Sequence, residues 1–504
     1  MAQERELKFG IAEGDLQMLQ GHPVLGMFAP APRLQRLETV YFDVDGDRLA
    51  AAGLVLRLRR TADGHRVTVK SSGSDSFGHL RGEWEWPTCS ETLSPADLER
   101  ALRETPLQQL GLDAAALQAA LRPVFGTAFD RLAWEVDWEG SRIEVALDRG
   151  ACTAWRDGAP RSTPLCEVEL ELHSGEWRHC WELAWALAQD VALLASPVNK
   201  AQRAGALRAG ARIAALPEPS RVAPGTTLRD AARLWLSTAA AQLAVWGERI
   251  RDADEERDVH QYRVVLRRLR TVLRWLEPHA RKRASRWFEG ETRWAMQVAG
   301  PVRDADVWLQ RLRELRDLHP DAVPAQLLDA LEGQRQQRRA LLRGYLGSPR
   351  FGRLLLALAR WAEQWSAHDG GRGSLQRLAV QALRDDEAQW QRALDACAEA
   401  LARAARGEPT RHTAPLHTLR ICSKRLRLSV ERLAHLLPAP RAELLRQRGR
   451  LAEQLQTHLG NWHDAQRLRE RAVQLAPQAR DIDSRLHAVA TQAVAAAQQA
   501  LAAG

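Results

Sequence analysis

The sequence predicts an α+β multidomain protein. About eight antiparallel strands curl into a barrel with covering helices, and an all-α helical bundle with an internal pseudo-twofold repeat follows. Three observations predict this. From Met1 to about Gly210, short segments alternate with a period of two, the side-chain period of a strand. Beyond Thr227, Ala, Leu, Arg, Gln and Glu dominate, and apolar residues recur at helical spacing. Within that second half, the stretch from His260 to Arg270 recurs 157 residues downstream, from His417 to Arg427.

The predicted strands are Arg5–Gly10, Arg36–Asp43, Leu54–Arg60, His65–Ser71, Leu80–Trp86, Ala133–Trp138, Arg142–Asp148 and Cys166–His173. Helical patterns fall between them at Pro95–Leu102 and Glu176–Asp190. The stretch Leu216–Ser220, followed by Val222–Gly225, is rich in proline and marks a linker. The expected domains are therefore residues 1–210, a linker at 211–226, and residues 227–504. A Gly-rich break at Asp369–Gly373 divides the helical half. The repeat has a second echo, because Gly300–Ala305 parallels Gly460–Ala465 at an offset of 160.

Composition narrows the function classes. The chain has 504 residues, 45% of them apolar and 27% charged, which suits a soluble protein of two or three domains. No apolar run approaches the ~20 residues of a membrane helix, and no signal-peptide pattern opens the chain. A cytoplasmic location is therefore expected, with no membrane partner. The six cysteines are scattered without a CxxC pair, which argues against zinc and against a disulfide framework. A net charge of +9 and a pI near 9.7 favour an anionic partner. Most of the excess is arginine, whose fork suits phosphate oxygens.

Charged residues share a face on many of the strands. Glu4, Glu6 and Lys8 do so at the start of the chain. So do Arg57 and Arg59; Arg66 and Lys70; Arg81, Glu83 and Glu85; Glu135 and Asp137; and Glu167, Glu169 and Glu171. Apolar residues occupy the other parity in several of these strands. One reading makes these charges the wet outer face of an ordinary barrel. The other turns the barrel inside out, with a polar lumen and helices over the apolar outer positions. Such a lumen could hold Mg²⁺ or Mn²⁺ on its carboxylates and phosphate on its cations. No Walker GxxxxGK[ST] and no Ser-His-Asp or Cys-His set is present.

The ordered set resembles the CYTH family, the triphosphate tunnel metalloenzymes. Its pieces are Glu4-x-Glu6-x-Lys8, Tyr41-Phe42-Asp43, Gly53–Arg59, Thr68–Lys70, Arg81-x-Glu83-x-Glu85, Ile143–Gly150 and Glu167-x-Glu169-x-Glu171. The resemblance covers roughly Met1 to Gly210 and implies a closed antiparallel β tunnel acting on a triphosphate. It implies metal binding by Glu4, Glu6, Asp148, Glu167 and Glu169, with Glu171 on the same face. Glu4, Glu6 and Lys8 would be the catalytic set. Lys8, Arg57, Arg59, Lys70, Arg81 and Arg131 would grip phosphate, and Lys200 and Arg203 would close the site.

The repeated stretch carries a second constellation. At ~100° per residue, His260, Arg263, Arg267, Arg270 and Arg274 fall within one arc of about 80°. His417, Arg420, Lys424 and Arg427 repeat it. A basic stripe of this kind suits a solvated face, a membrane surface or nucleic acid, and its repetition favours a built anion site. The motif H-x-x-R-x-x-x-[RK]-R-x-R in both copies resembles the CHAD domain, over about Thr227 to Gly504. That resemblance implies binding of inorganic polyphosphate by His260, Arg263, Arg267, Arg270, His417, Arg420, Lys424 and Arg427. Asp304, Asp306 and Asp464 in the second echo read as capping or structural residues. The tryptophans between Trp235 and Trp462 read as packing residues.

The expected function is metal-dependent hydrolysis of inorganic triphosphate to diphosphate and phosphate, with polyphosphate as ligand of the helical half. Association with polyphosphate granules would follow, and nucleic acid is not the favoured partner. The alternatives are an adenylyl cyclase or thiamine triphosphatase on the same tunnel fold, or a non-catalytic polyphosphate-binding scaffold. The oligomeric state is not encoded legibly.

Overall fold

The computed structural model describes residues 2–71, 78–156, 159–213, 221–223, 225–365, 374–405, 414–476 and 480–503. The side chains of Glu4 and Arg81, the segment Leu216–Ser220 and the Asp369–Gly373 break lie outside the described residues.

Nine strands form one antiparallel sheet: β1 (Ala2–Gly10), β2 (Arg33–Asp43), β3 (Leu54–Thr61), β4 (Gly64–Ser71), β5 (Gly78–Thr88), β6 (Arg122–Trp138), β7 (Ser141–Arg156), β8 (Ala159–Ser174) and β9 (Leu194–Ala195). Their order is β5-β4-β3-β2-β6-β7-β8-β1-β9, and β1 also pairs with β5. All eight predicted segments are strands. The ninth is a two-residue strand that pairs with Phe9 and Gly10. The strands β6, β7 and β8 run to 17, 16 and 16 residues, well past their predicted ends. A Cβ at Gly150 would lie 2.1 Å from the Ala128 carbonyl oxygen, so only glycine fits where β7 approaches β6.

Sixteen helices accompany the sheet among the described residues. In the first half they are α1 (Leu16–Gln20), α2 (Pro23–Phe28), α3 (Arg48–Ala51), α4 (Pro95–Glu104), α5 (Ala114–Ala120), α6 (Trp177–Leu187) and α7 (Lys200–Ala209). Then come α8 (Leu228–Asp252), α9 (Glu256–Leu276), α10 (Lys282–Leu318), α11 (Ala325–Leu346), α12 (Pro349–Gln364), α13 (Leu375–Ala405), α14 (Ala414–Leu433), α15 (Ala439–Leu475) and α16 (Arg480–Ala503).

The chain divides into two compact units. The first is Met1–Pro217 with Ala240–Ala253 and Tyr345–Glu363; the second holds Glu218–Ala239, Asp254–Gly344 and Gln364–Gly504. In the first unit, the apolar parity of β3, β4 and β5 (Leu56, Leu58, Val67, Val69 and Trp86) packs under Leu98 and Ala101 of α4 and Leu117 of α5. The charged parity therefore points to the other face. The start of α4 is fixed by a capping box in which Ser94 and Asp97 satisfy each other's backbone N–H. A second capping box, Asn199 with Gln202, starts α7 and sets Lys200 at its first turn. Gly210, in the left-handed region at φ 62°, ends that helix.

In the second unit, α9 buries Val259, Tyr262, Val265, Leu266, Leu269, Val272 and Leu276, which leaves its basic stripe on another face. Both α10 and α15 are 37 residues long. Each follows a motif-bearing helix, α9 or α14, across a single 3₁₀ turn. Trp235, Trp275, Trp308, Trp390 and Trp462 are buried, as packing residues should be. No described helix is long and apolar enough to cross a membrane.

Candidate functional site

Register brings the charged residues of the sheet together. Glu6 stands opposite Glu171, and Lys8 opposite Glu169. Asp148 lies between Glu167 on one side and Arg131 on the other. Tyr41 faces Arg57 on β3 and Phe125 on β6, Arg57 faces Thr68, and Lys70 faces Glu83. A cavity of about 520 Å³ is lined by Glu6, Lys8, Arg57, Arg59, Lys70, Arg131, Glu169, Glu171 and Lys200 from these strands and the first turn of α7.

The buried charges are paired. Arg131 donates to both oxygens of Asp148, from Nε at 2.7 Å and Nη2 at 2.8 Å, and Nη2 also reaches Glu169 at 2.5 Å. Lys200 Nζ donates to Asp148 at 2.8 Å and Glu169 at 3.1 Å, with Glu167 at 3.4 Å. Lys8 Nζ lies 2.8 Å from Glu167 and 3.3 Å from Glu169. Further round the sheet, Glu83 pairs with Lys70 at 3.2 Å and with Arg57 at 3.4 Å.

Electrostatics follow from this pairing. Burial opposes ionisation of Glu169, but Lys200, Lys8 and Arg131 outweigh it and hold the carboxyl well below its usual range. Burial likewise opposes the charge on Asp148, and Lys200 and Arg131 overcome it. Lys200 is disfavoured by burial yet pushed above its ordinary value by Asp148, Glu169 and Glu167. Arg59 is the contrast. Its Nε donates to Thr39 Oγ1 at 3.3 Å, and it makes no carboxylate pair among the described residues. Burial first, then the neighbouring Arg57, push it down to about 10, so it stays charged near neutrality.

The predicted site residues divide accordingly. Glu6, Lys8, Arg57, Arg59, Lys70, Arg131, Glu169, Glu171 and Lys200 share the cavity. Asp148 and Glu167 are fully buried and serve Arg131, Lys200 and Lys8 as counter-charges. Arg203, expected to close the site, stands elsewhere. Its Nη1 donates to Glu248 at 2.5 Å beside a separate, smaller cavity, one that Glu167 also lines.

Sequence reasoning assigned no site role to three features. Tyr41 is buried in the cavity wall and stacks on Phe125, with ring centroids 4.1 Å apart. Leu54 and Val55, inside the Gly53–Arg59 motif, join Val124, Phe125, Ala201 and Ala204 to give the cavity an apolar side to which sequence reasoning assigned no role. Glu135, Glu144 and His173 offer three ligand atoms within 4.8 Å of one another, and Arg33 already donates to both carboxylates at 2.9 and 3.4 Å.

The helical unit gathers the second set. Arg263 and Arg420 each feel Asp304 and Asp464. Arg267 and Lys424 feel mainly other cations. Arg427 is compensated by Gln456 at 3.1 Å, with Glu453 at 3.7 Å and Glu431 at 3.8 Å. Arg270 is exposed, and its charged neighbours are Arg293, Glu289 and Arg425 rather than the other motif residues. His260 and His463 are both pushed down to about 4, by burial and then by nearby arginines. Asp306 is structural: it accepts from Arg335 at 2.7 Å in the core.

The two halves match two known domain families. The CYTH domain matches residues 2–204, and the CHAD domain matches residues 234–473. The chain thus belongs to the proteins that join a CYTH domain to a CHAD domain. An inorganic triphosphatase of Haemophilus influenzae is 31% identical over 169 residues, which are 33% of this chain and 44% of that protein. The match therefore spans less than half of that relative. An uncharacterized protein of Mycobacterium tuberculosis is 29% identical over 378 residues, 70% of this chain and 69% of that one. Among solved structures, the CHAD domain from Ricinus communis is similar over 58% of this chain and 97% of its own, at 20% identity and a TM-score of 0.44. PptA from Streptomyces chartreusis is similar over 55% of this chain and 99% of its own, at 19% identity and a TM-score of 0.41.

Proposed function

We propose that the CYTH half, residues 1–210, is a closed tunnel that hydrolyses a triphosphate, most simply inorganic triphosphate, to diphosphate and phosphate. A linker at 211–226 would then lead to a CHAD half, residues 227–504, that binds polyphosphate. The observation that carries the reading is the shared cavity in which Lys8, Arg57, Arg59, Lys70, Arg131 and Lys200 meet Glu6, Glu169 and Glu171. Closure is supported by the β1–β5 ladder, which joins the two ends of the eight-strand order.

The residues also fit a divalent cation. Glu6 and Glu171 stand opposite each other and share the cavity with Glu169, an all-oxygen set suited to Mg²⁺ or Mn²⁺. Among the described residues neither oxygen of buried Glu167 has a hydrogen-bond partner, and its compensation is ionic, from Lys8 and Lys200. The CYTH family is metal-dependent, and Glu4 would join Glu6, Glu169 and Glu171 in holding the ion. Bound there, the metal would neutralise phosphate charge and polarise the reacting phosphorus.

The chain's own residues do the rest. Asp148 fixes the guanidinium of Arg131 and the ammonium of Lys200, so both are preorganised before substrate enters. Arg57, Arg59 and Lys70 line the same cavity and take up charge on the phosphate oxygens. Arg59, without a carboxylate of its own, is the cation most available to the substrate. A water attacks the terminal phosphorus, the bridging P–O bond breaks, and diphosphate leaves on the cation-lined side. Asp148, Glu167 and Glu169 would serve a pure scaffold as counter-charges too, so the catalytic reading rests on the metal that Glu6 and Glu171 would help to hold.

A second reading is favoured by the apolar wall. Val55, Val124, Ala204 and the Tyr41–Phe125 stack could pack an organic group attached to the triphosphate, as thiamine triphosphatase or adenylyl cyclase activity would need. The test is phosphate release from inorganic triphosphate, ATP and thiamine triphosphate, each with Mg²⁺, Mn²⁺ or EDTA. The higher kcat/KM should belong to inorganic triphosphate. A large preference for an organic triphosphate transfers the assignment to the second reading, and cyclic AMP in the ATP tubes transfers it to a cyclase.

Polyphosphate binding by the CHAD half is supported by Arg263, Arg267, Arg420 and Lys424, none of which is hydrogen-bonded to a carboxylate among the described residues. The equal lengths of α10 and α15, each behind a motif helix, support a pseudo-twofold relation of the two copies. A cytoplasmic location, with association with polyphosphate granules, belongs to the same reading.

A further inference from the structure

One part-buried ion pair of the first unit has no role in the chemistry above. On α7, Lys200 reaches into the large cavity, while Arg203 Nη1 donates to Glu248 of α8 at 2.5 Å. Glu248 belongs to the segment Ala240–Ala253, which is part of the same compact unit as the sheet but lies beyond the CYTH match at 2–204. The second cavity, of about 170 Å³, has Arg203, Glu248 and Glu167 in its wall. We propose that Glu248 is a positioning residue: by holding Arg203 it keeps that guanidinium off Glu167, so that Glu167 stays with Lys8 and Lys200. The proposal rests on the triphosphatase reading above.

Glu167 is the shared element. Its side chain is 3% exposed, and among the described residues neither oxygen accepts a hydrogen bond. Its compensation is ionic, with Lys8 Nζ 2.8 Å and Lys200 Nζ 3.4 Å from Oε2. Both lysines line the large cavity, whereas Glu167 itself lines the small one. A charged hydrogen bond from a guanidinium is among the strong ones, and an arginine fork can take both carboxylate oxygens at once. Arg203 already feels Glu167 as a favourable charge, after Glu248. Arg251 lines the same cavity, but the carboxylates beside it are Glu248 and Asp252. With Glu248 present, the Arg203 guanidinium is engaged. Without it, Glu167 is the open acceptor on the same cavity.

The rest of α7 is fastened independently of this pair. The Asn199–Gln202 capping box fixes its start, Arg208 pairs with Asp47, and beyond the helix Arg212 donates to the Arg249 carbonyl at 2.8 Å. Loss of Glu248 therefore leaves the helix in place and changes only the partner of Arg203. Once Arg203 bonds to Glu167, Lys8 keeps Glu169, and Lys200 keeps Asp148 and Glu169. Each ammonium has lost one of the charges that fixed it before substrate entered. That loss of preorganisation falls on the transition state, so kcat drops while KM does not rise. Removing Arg203 as well takes away the competitor and returns Glu167 to the lysines. The two substitutions are therefore non-additive, the second rescuing the first.

The test is steady-state phosphate release from inorganic triphosphate by the full-length chain, as wild type, E248Q, E248D, R203Q and the double variant E248Q/R203Q. The kcat of E248Q should drop roughly 10- to 100-fold, with KM no higher. E248D keeps the carboxylate and R203Q removes the competitor, so both should stay near wild type. The double variant should recover most of what E248Q loses. A crystal structure of E248Q should show the Arg203 guanidinium bonded to Glu167. Circular dichroism checks folding. Should E248Q fail to fold, E248A takes its place with the same expectations, and R203Q alone still decides, because a purely structural pair loses as much from either side. A wild-type rate in E248Q overturns the proposal. So does an R203Q as slow as E248Q, a double variant that recovers nothing, or a guanidinium that leaves Glu167 with the lysines. No phosphate release by wild type removes the triphosphatase reading and the proposal with it, and is distinguishable because it appears before any substitution is made.

Discussion

Arg59 offers a perturbation in which stability and function should move in opposite directions. Its charge is held in the cavity without a carboxylate, against burial and against Arg57. A displacement from 12.5 to about 10 corresponds to roughly 3 kcal/mol of unfavourable surroundings for the charge. The side chain is only half-buried, and solvent screening leaves about 1–2 kcal/mol of that figure. Arg59→Gln removes the charge while keeping a polar group for Thr39. The unfolding midpoint of the tunnel unit should therefore rise, by about 2–8 °C. The same change deletes a charged hydrogen bond to the substrate, of about 1.5–3 kcal/mol, so kcat/KM for triphosphate should drop roughly 10- to 100-fold. The assays are differential scanning calorimetry without substrate and phosphate release on the same preparation. A lower midpoint, or an unchanged kcat/KM, would refute the assignment of Arg59 as an uncompensated, substrate-facing cation.

Three further outcomes are expected. Glu6→Gln should remove metal-dependent turnover while leaving the circular dichroism spectrum intact, since it neutralises one of the two opposed carboxylates of β1 and β8; an unaltered rate would take Glu6 out of the site. Asp148→Asn should destabilise the tunnel unit by about 3 kcal/mol, because Arg131 and Lys200 lose a buried counter-charge. A denaturant midpoint equal to wild type would show that the pairing contributes nothing. Arg263→Ala with Arg420→Ala should weaken polyphosphate binding and lower its salt dependence by roughly two counterions. Equal affinity at all salt concentrations would exclude these arginines from the site.

Much of the fold is legible in the sequence because the sheet is polar on the face that matters. In β3 and β4, Arg57, Arg59, Arg66 and Lys70 alternate with Leu56, Leu58, Val67 and Val69, so the period of two is marked twice. The early parts of β6 and β8 lack that mark. Pro123, Gly126, Pro160 and Pro164 break the pattern there, and long-range pairing with β2 and β7 supplies what local propensity does not. The site is legible to the same degree. Alternation places Glu6, Lys8, Glu169 and Glu171 on one face, but only register says that Glu6 meets Glu171 and Lys8 meets Glu169. Lys200 is brought in by the capping box at Asn199 and Gln202, a signal present in the sequence. Arg203, three residues on, was expected in the site and instead pairs with Glu248 of α8, more than forty positions away and beyond the reach of local pattern. Tyr41 was seen only as part of a motif, and its place in the wall depends on Phe125 across the β2–β6 ladder.

The most direct test follows the phosphorus itself. A ³¹P spectrum of inorganic triphosphate, recorded with the purified protein and Mg²⁺ and again after EDTA, reports both the bond cleaved and the need for metal. The account predicts loss of the triphosphate signals, growth of diphosphate and phosphate in equal amounts, and arrest on adding EDTA. An unchanged spectrum, or cleavage that continues undiminished in EDTA, would contradict it.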